Sequence, residues 1–363
     1  MKKSILTLFL FFALAANAQL STETMTVGAT ARTYNRYLPT GITPSEEVDV
    51  VLVLHGIGDN ANNMSNVGFN LIADTARLIA IYPQGVNNAF GQSSWNNGTL
   101  LGSTVDDIAF FKQILDSLIA NYNVNTSRVY CTGFSMGGIM TNRVSCEMNG
   151  RIAAVASVAG PFSDSDTTSC DQTYKTPVMY WHGTADSQVP YSGTPLPSLT
   201  LGEATVDYLR RRQGCDLTET IETQPDLASD GVTIDKITYG SCTTDFEFWR
   251  MNNADHIWPY RPAHDLNAVI EIWHFFNRYT HTGVTNGILD QSKNEEIKHL
   301  YPNPTKDIIN YPSNGELFKF EITALNGQVI AKGQSSNQID ISALQPGTYI
   351  ISINNTKYRV VKN

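Results

Sequence analysis

A serine set between glycines, followed by an aspartate and a histidine that each close a later apolar run, is the combination in this sequence able to do covalent chemistry. The run Arg128-Val129-Tyr130-Cys131-Thr132 favours a strand, and Gly133-Phe134-Ser135-Met136-Gly137-Gly138 follows it and opens a helix-like segment. Strand, tight turn and helix form the context in which the pattern G-x-S-x-G presents a serine hydroxyl as a nucleophile. Such a turn strains the serine backbone and needs glycine where a side chain would collide with a neighbouring element. It also aims the N–H of Met136 at the place where an oxyanion develops. The plain alternative is a serine-rich turn matching by chance, and the preceding strand is what favours the chemistry.

An acid and then a base should follow, each after a strand. Pro177-Val178-Met179-Tyr180-Trp181-His182-Gly183 reads as a buried strand, and Asp186 lies in the loop after it. Asp245 to Met251 reads as another, with His256 in the following loop. Asp186 and His256 are therefore the expected acid and base. The chain has seven histidines. His264, His274, His281 and His299 read as surface or helix residues, while His55 and His182 precede glycines at strand ends and read as shaping those turns. Asp255 is the rival acid, but adjacent loop residues such as Asp255 and His256 rarely point at each other.

The run Val48 to Leu54 is apolar enough to be buried on both faces of a parallel sheet, and His55-Gly56-Ile57-Gly58-Asp59 follows it. That loop is expected to supply the second oxyanion donor, the N–H of Ile57, beside Met136. The chemistry implied is acyl transfer to water through an acyl-serine, with no metal or organic cofactor. The cysteines lack C-x-x-C spacing, which disfavours a metal site.

The elements that must position these residues are legible around them. Over residues 105 to 122, Ile108, Phe111, Leu115, Leu118, Ile119 and Tyr122 recur at helical spacing, with Ser103 or Thr104 as the expected N-cap. Leu78 to Tyr82 and Ile152 to Val158 read as further buried strands. Strands alternating with helices imply an α/β fold, a mostly parallel sheet with helices on both faces.

Taken together, His55-Gly56, Tyr82-Pro83-Gln84 with Trp95, Gly133 to Gly138, His182-Gly183-Thr184-Ala185-Asp186 and His256-Ile257-Trp258-Pro259 resemble the feruloyl-esterase and polyhydroxybutyrate-depolymerase-like family of secreted α/β-hydrolases. The resemblance covers residues 25 to 280. It implies an α/β-hydrolase fold, a Ser135–Asp186–His256 triad and a polymeric or oligomeric ester substrate. Feruloyl or acetyl esters of plant polysaccharide come first, a polyhydroxyalkanoate or other polyester second, and a catalytically silent polymer-binding protein is the alternative of another class. Trp95 and Trp258 are candidates for an aromatic substrate wall, whereas Trp181 reads as core. The chain departs from the family at Ile57, where a cysteine is frequent, and at Ala254-Asp255, where Gly-Gly is frequent. Five cysteines leave at least one unpaired, and Cys131 in its strand reads as a buried thiol. Spacing leaves three connectivities open for the other four, and the resemblance implies Cys146 with Cys170 and Cys215 with Cys242.

At 363 residues the chain has room for one hydrolase domain and an appendage. A net charge of −9 provides no basic face for nucleic acid. Residues 1–18 have the n-, h- and c-regions of a secretory signal, too short to span a membrane, and no other segment reaches spanning length. The expected organisation is a signal peptide at 1–18, a catalytic domain at 19–280, a polar linker at 281–296 and a small β-sandwich at 297–363, with Asn326-Gly327 as a hairpin turn. Tyr301-Pro302-Asn303-Pro304, Leu325-Asn326-Gly327, Leu344-Gln345-Pro346-Gly347-Thr348-Tyr349 and the basic end resemble the C-terminal sorting domain of the type IX secretion system. This implies an exported protein, extracellular or attached to the cell surface, whose partner is the outer-membrane secretion machinery. A carbohydrate-binding sandwich is the alternative.

Overall fold

The computed structural model describes residues 19–281 except 100 and 171–173, and in the C-terminal part 300, 305–311, 313, 317–324, 328–353 and 356–362. The signal segment, all of the linker but His281, His299 and the Asn326-Gly327 turn fall outside the described residues. The chain divides into two compact units, Met1–Ile288 and Leu289–Asn363.

The first unit runs β1 (Gln19–Val27), β2 (Thr30–Leu38), β3 (Val48–Leu54), α1 (Ala61–Met64), α2 (Phe69–Ala76), β4 (Leu78–Pro83), β5 (Val86–Asn87), β6 (Ser93–Ser94), α3 (Asp107–Asn121), β7 (Val124–Phe134), α4 (Met136–Glu147) and β8 (Ala154–Val158). It continues through α5 (Asp164–Ser169), β9 (Val178–Gly183), α6 (Gly202–Arg212), β10 (Glu219–Thr223), β11 (Thr233–Tyr239), β12 (Phe246–Asn252) and α7 (Ala268–Phe276). Ten of these strands form one sheet in the order β1-β2-β4-β3-β7-β8-β9-β12-β11-β10. The centre from β4 to β12 is parallel, and both ends are antiparallel.

Side chains alternate across the sheet, so a strand covered on both faces must be apolar throughout. Val50, Leu52 and Leu54 of β3 join one core with Phe111 and Leu115 of α3 and Met140 of α4. Val51 and Val53 join the other core with Phe69 of α2 and Ile272 and Phe275 of α7. Each such side chain contributes about 1.5–3 kcal/mol relative to exposure.

Two local expectations are corrected. The N-cap of α3 is Asp106, neither Ser103 nor Thr104; its carboxylate accepts the Ala109 N–H at 2.8 Å. Ser103 is buried and faces Asp107. Asp107 turns inward to pair with Arg32 of β2 at 2.6 Å and accepts the Asn96 N–H, which ties the loop before α3 to the sheet. Ile119 is exposed, while Phe110 and Ile114 are buried, because the sheet lies one step round the helix from the stripe the spacing suggested.

The bonded cysteine pairs are Cys146–Cys170 and Cys215–Cys242, and Cys131 is free and buried. Burial pushes the Cys131 thiol up to about 12, leaving it inert as a nucleophile at neutral pH. The bridges span 24 and 27 residues of sequence. Loops of this size restrict the unfolded chain enough to stabilise by about 3 kcal/mol each. Reduction should therefore lower the calorimetric Tm of the oxidised protein by several degrees, and an unchanged Tm would contradict this contribution.

In the second unit β13 (Ile308–Asn310) pairs with β16 (Gln338–Asp340), while β14 (Phe318–Ala324), β15 (Val329–Ser335), β17 (Gly347–Ile353) and β18 (Thr356–Lys362) form a four-stranded sheet in the order β15-β14-β17-β18. Ile309 and Ile339 share one core with Ile322, Ile351, Ile353 and Val360. Tyr311 and Phe318 are buried in it, with Phe320, Tyr349 and Tyr358 packed partly against it. The aromatics a sugar platform would need are thus engaged in the unit's own packing.

Candidate active site

Ser135 joins β7 to α4 at φ 55° and ψ −120°, a conformation that costs a non-glycine residue about 1–3 kcal/mol. The turn holds it there: its N–H donates to Val158 O at 2.8 Å and its carbonyl accepts the Ile139 N–H at 3.0 Å. The flanking glycines answer to close packing. A Cβ on Gly133 would overlap Gly137 O, and one on Gly137 would overlap Leu54 O. As the first residue of α4, Met136 has an N–H that the helix ladder does not use.

The acid and base meet because their strands are neighbours. β9 and β12 pair in parallel, with Gly183 opposite Met251, so the two following loops leave the sheet side by side. Thr184 N–H donates to Met251 O at 2.9 Å and Ala185 N–H to Ala254 O at 3.0 Å. Ala254 is buried there. His256 Nδ1 lies 2.8 Å from Asp186 Oδ2. The other carboxylate oxygen accepts the N–H groups of Gln188 and Val189 at 2.9 and 2.7 Å, which fixes the carboxylate plane. Asp255 does something else: its Oδ1 accepts from the Ser187 N–H, the Ser187 hydroxyl and the His256 N–H, and it is exposed. Those bonds hold its carboxylate below the usual range and shape the loop without reaching the imidazole ring.

Phe134 brings the base loop against the elbow. Its ring lies 4.8 Å from the His256 ring, and Trp258 meets it edge-on at 6.3 Å. Sequence reasoning overlooked Phe134, whose only signal is an aromatic at the x position of the motif. Among the described residues the Ser135 hydroxyl makes no hydrogen bond; the contact with the base loop runs through Phe134. A nucleophile-to-base bond that tightens only with substrate present is common in enzymes of this kind.

Both other strand-end histidines are wholly buried, and burial holds each below its ordinary pKa. His182 Nε2 donates to Val189 O at 2.8 Å, and its Nδ1 is 2.6 Å from the Tyr180 hydroxyl, which closes the acid loop on itself. His55 Nδ1 is 2.7 Å from Gly56 O. His281 is no surface residue as the sequence suggested: its Nε2 lies 3.0 Å from Asn149 O and it is buried.

Trp95 is corrected from substrate wall to core. It is fully buried, its Nε1 donates to His55 O at 2.8 Å, and its ring packs on His55 and Phe111. The polar tail of the indole is spent on backbone behind the Ile57 loop, so no face is left for substrate. Trp181 is core as expected, stacked on Trp249 at 4.4 Å. Trp258 is half-buried beside Phe134, the aromatic that remains near His256.

Comparison with known proteins accords with this architecture. Residues 103–218 match the family described as Phospholipase/Carboxylesterase, and residues 299–363 match the Secretion system C-terminal sorting domain. A bifunctional acetylxylan esterase/xylanase of Neocallimastix patriciarum is 32% identical over 159 residues, 43% of this chain and 21% of that protein. The chain therefore spans about a fifth of that relative. Feruloyl esterase D of Neurospora crassa is 24% identical over 275 residues, 71% of this chain and 86% of that protein. Among solved structures, an acetyl xylan esterase from Aspergillus awamori superimposes with a TM-score of 0.50 at 14% identity, covering 71% of this chain and 99% of that one. The first unit has the α/β-hydrolase fold. The chain resembles esterases of the feruloyl-esterase and polyhydroxybutyrate-depolymerase kind, and its residues 299–363 resemble a secretion sorting domain.

Proposed function

We propose that this chain, an α/β-hydrolase followed by a sorting domain, is an exported serine esterase acting on acetyl or feruloyl esters of plant polysaccharide. The observation that carries the reading is the 2.8 Å contact between His256 Nδ1 and Asp186 Oδ2 beside the strained turn at Ser135. The carboxylate accepts a hydrogen bond from Nδ1–H, so Nε2 is the basic nitrogen. As Ser135 Oγ attacks the ester carbonyl, Nε2 takes its proton, and the new C–O bond leaves a tetrahedral oxyanion facing the N–H groups of Met136 and Ile57. Collapse breaks the bond to the alcohol, which receives the proton from His256. Water, deprotonated by His256, then attacks the acyl carbon; the bond to Ser135 Oγ breaks, Oγ receives that proton from His256, and the acid is freed. None of these steps calls for a cofactor.

The similarity to acetylxylan and feruloyl esterases supports a polysaccharide ester, and the sorting domain supports export through type IX machinery to reach a polymer outside the cell. With Trp95 in the core, Trp258 is the remaining candidate for an aromatic acyl contact. A panel of acetylated xylan, methyl ferulate and a polyhydroxybutyrate suspension tests the substrate class. One of the first two should exceed the polyester by about tenfold or more in kcat/KM, a margin of at least 1.4 kcal/mol in transition-state binding. The reverse order would make the chain a polyester depolymerase, and a folded protein inert toward p-nitrophenyl acetate would make it a polymer-binding protein.

A further inference from the structure

We propose that Tyr260 is a sugar-stacking platform on the alcohol side of the active site, where it receives the polysaccharide chain that carries the scissile ester. The proposal deepens the serine-esterase reading above and rests on it.

The side of the site follows from the chemistry. His256 must hand its proton to the departing alcohol oxygen, so the alcohol lies toward the base and away from the donors that face the oxyanion. A polymer attached through that oxygen therefore leaves the site over the base loop. Tyr260 stands on that loop, four residues beyond His256, and ~3.6 Å of chain per residue keeps their Cα atoms within about 14 Å. The stretch between them runs through Trp258, which meets Phe134 edge-on beside the elbow, and Pro259, which is buried.

Tyr260 is both open and held. Phe90 and Tyr260 are the largely exposed aromatics among the described residues, and Tyr260 is 54% exposed. Its carbonyl accepts the His264 N–H at 2.9 Å, and the two rings meet edge-on at 5.4 Å. His264 Nδ1 in turn lies 3.2 Å from Asp230 Oδ2. Asp230 belongs to the turn between β10 and β11. Because Thr233 pairs with Asn252 in the antiparallel ladder, that turn lies at the sheet edge where β12 ends. Buried Asp265 ties the same two segments together, its Oδ1 accepting the N–H groups of Leu227 and Ala228 at 2.7 and 2.9 Å. An aromatic fixed before binding loses little conformational entropy when a ligand docks.

A sugar ring is the occupant these groups fit. The negative face of an aromatic ring attracts the C–H bonds that line one side of a pyranose, while the hydroxyls round its rim need polar partners. Asp230, Asn253 and Arg261 are exposed on the same two segments and can supply them. A polyester would instead need a continuous apolar surface, whereas Tyr260 and Leu227 are set among charged and amide side chains. The net charge of −9 disfavours an acidic polymer and leaves a neutral sugar chain unopposed.

The test uses two substrate pairs, each sharing an acyl group and differing in the alcohol: acetylated xylo-oligosaccharide against p-nitrophenyl acetate, and feruloylated arabinoxylan fragments against methyl ferulate. It reads, in the full mature chain, the ratio of kcat/KM on the saccharide ester to kcat/KM on the small ester. Tyr260→Ala should lower that ratio by about three- to tenfold, chiefly through KM, the range one aromatic contact contributes. Tyr260→Phe should keep the ratio, since the flat face remains, and Tyr260→Leu should lose it, being apolar without a face. An unchanged ratio in a folded Tyr260→Ala variant, or full recovery by leucine, overturns the proposal. So does an equal fall in hydrolysis of a polyhydroxybutyrate suspension, or a parent chain that turns over neither saccharide ester. Should Tyr260→Ala fail to fold, Tyr260→Leu against Tyr260→Phe decides by the same ratio. Ser135→Ala is run alongside. If it retains turnover, the esterase site is misplaced and this inference falls with it; if it is inactive while the Tyr260 variants leave the ratio unchanged, only this inference falls.

Discussion

Ser135→Ala should lower kcat on a soluble ester by roughly 10³-fold or more while leaving the fold intact, because covalent catalysis has no second nucleophile to use. The free thiol of Cys131 is wholly buried and its pKa is pushed up to about 12, so it cannot substitute. Alanine also fits the turn as serine does, with one Cβ in the same left-handed backbone, so the substitution tests chemistry and not folding. What remains should reflect the two oxyanion N–H groups and substrate binding, which accelerate hydrolysis without a nucleophile. KM should change little, since the hydroxyl contributes to bond formation more than to ground-state binding. The measurement is steady-state kinetics with circular dichroism as the folding control. Near-normal turnover would remove Ser135 from the mechanism.

The second large effect separates two neighbouring acids. Asp186→Asn should cost about 10³- to 10⁴-fold in kcat, because an amide in place of Oδ2 can present N–H to His256 Nδ1 and hold the imidazole in the wrong tautomer. The carboxylate is also the charge that stabilises the imidazolium formed in each transition state. Its other oxygen is held by two backbone N–H groups, so the amide variant should seat in the same place with its geometry kept. Asp255→Asn should change kcat by no more than about threefold, since its oxygen caps the Ser187 and His256 backbone at an exposed position and does not touch the ring. Comparable losses in both variants would mean that the loop as a whole matters, and a larger loss at Asp255 would reverse the assignment of the acid.

The contrast between these aspartates shows what the sequence could and could not carry. The parallel centre of the sheet was readable because strands buried on both faces are nearly continuous apolar runs, as Leu78–Pro83 is and as Val48–Leu54 is apart from Asp49 near its start. Once those strands are placed, the loops that follow are where functional side chains collect, which is why Ser135, Asp186 and His256 stand out as candidates by position, and the structure brings the last two into contact. The sheet's outer strands were not readable. β1 and β2 alternate Thr, Arg and Tyr with few aliphatic residues, and every residue of β10 is exposed, so neither carries the apolar signal of the centre. The start of α3 was misplaced because Asp106 and Asp107 are both plausible caps or first-turn acids, and only the buried Arg32, 75 residues earlier, decides that Asp107 turns inward. Trp95 was misread for a similar reason. A tryptophan in a strand-end loop looks like a binding surface until the position of His55 O, 40 residues away, shows where its N–H goes.

The most direct test of the account is to treat the active, full mature chain with a fluorophosphonate and locate the adduct by intact-mass measurement and peptide mapping. The account predicts one adduct per chain, on the peptide containing Ser135, appearing in step with loss of esterase activity and absent from the Ser135→Ala variant. An adduct on another residue, or complete inactivation with Ser135 unmodified, would contradict it.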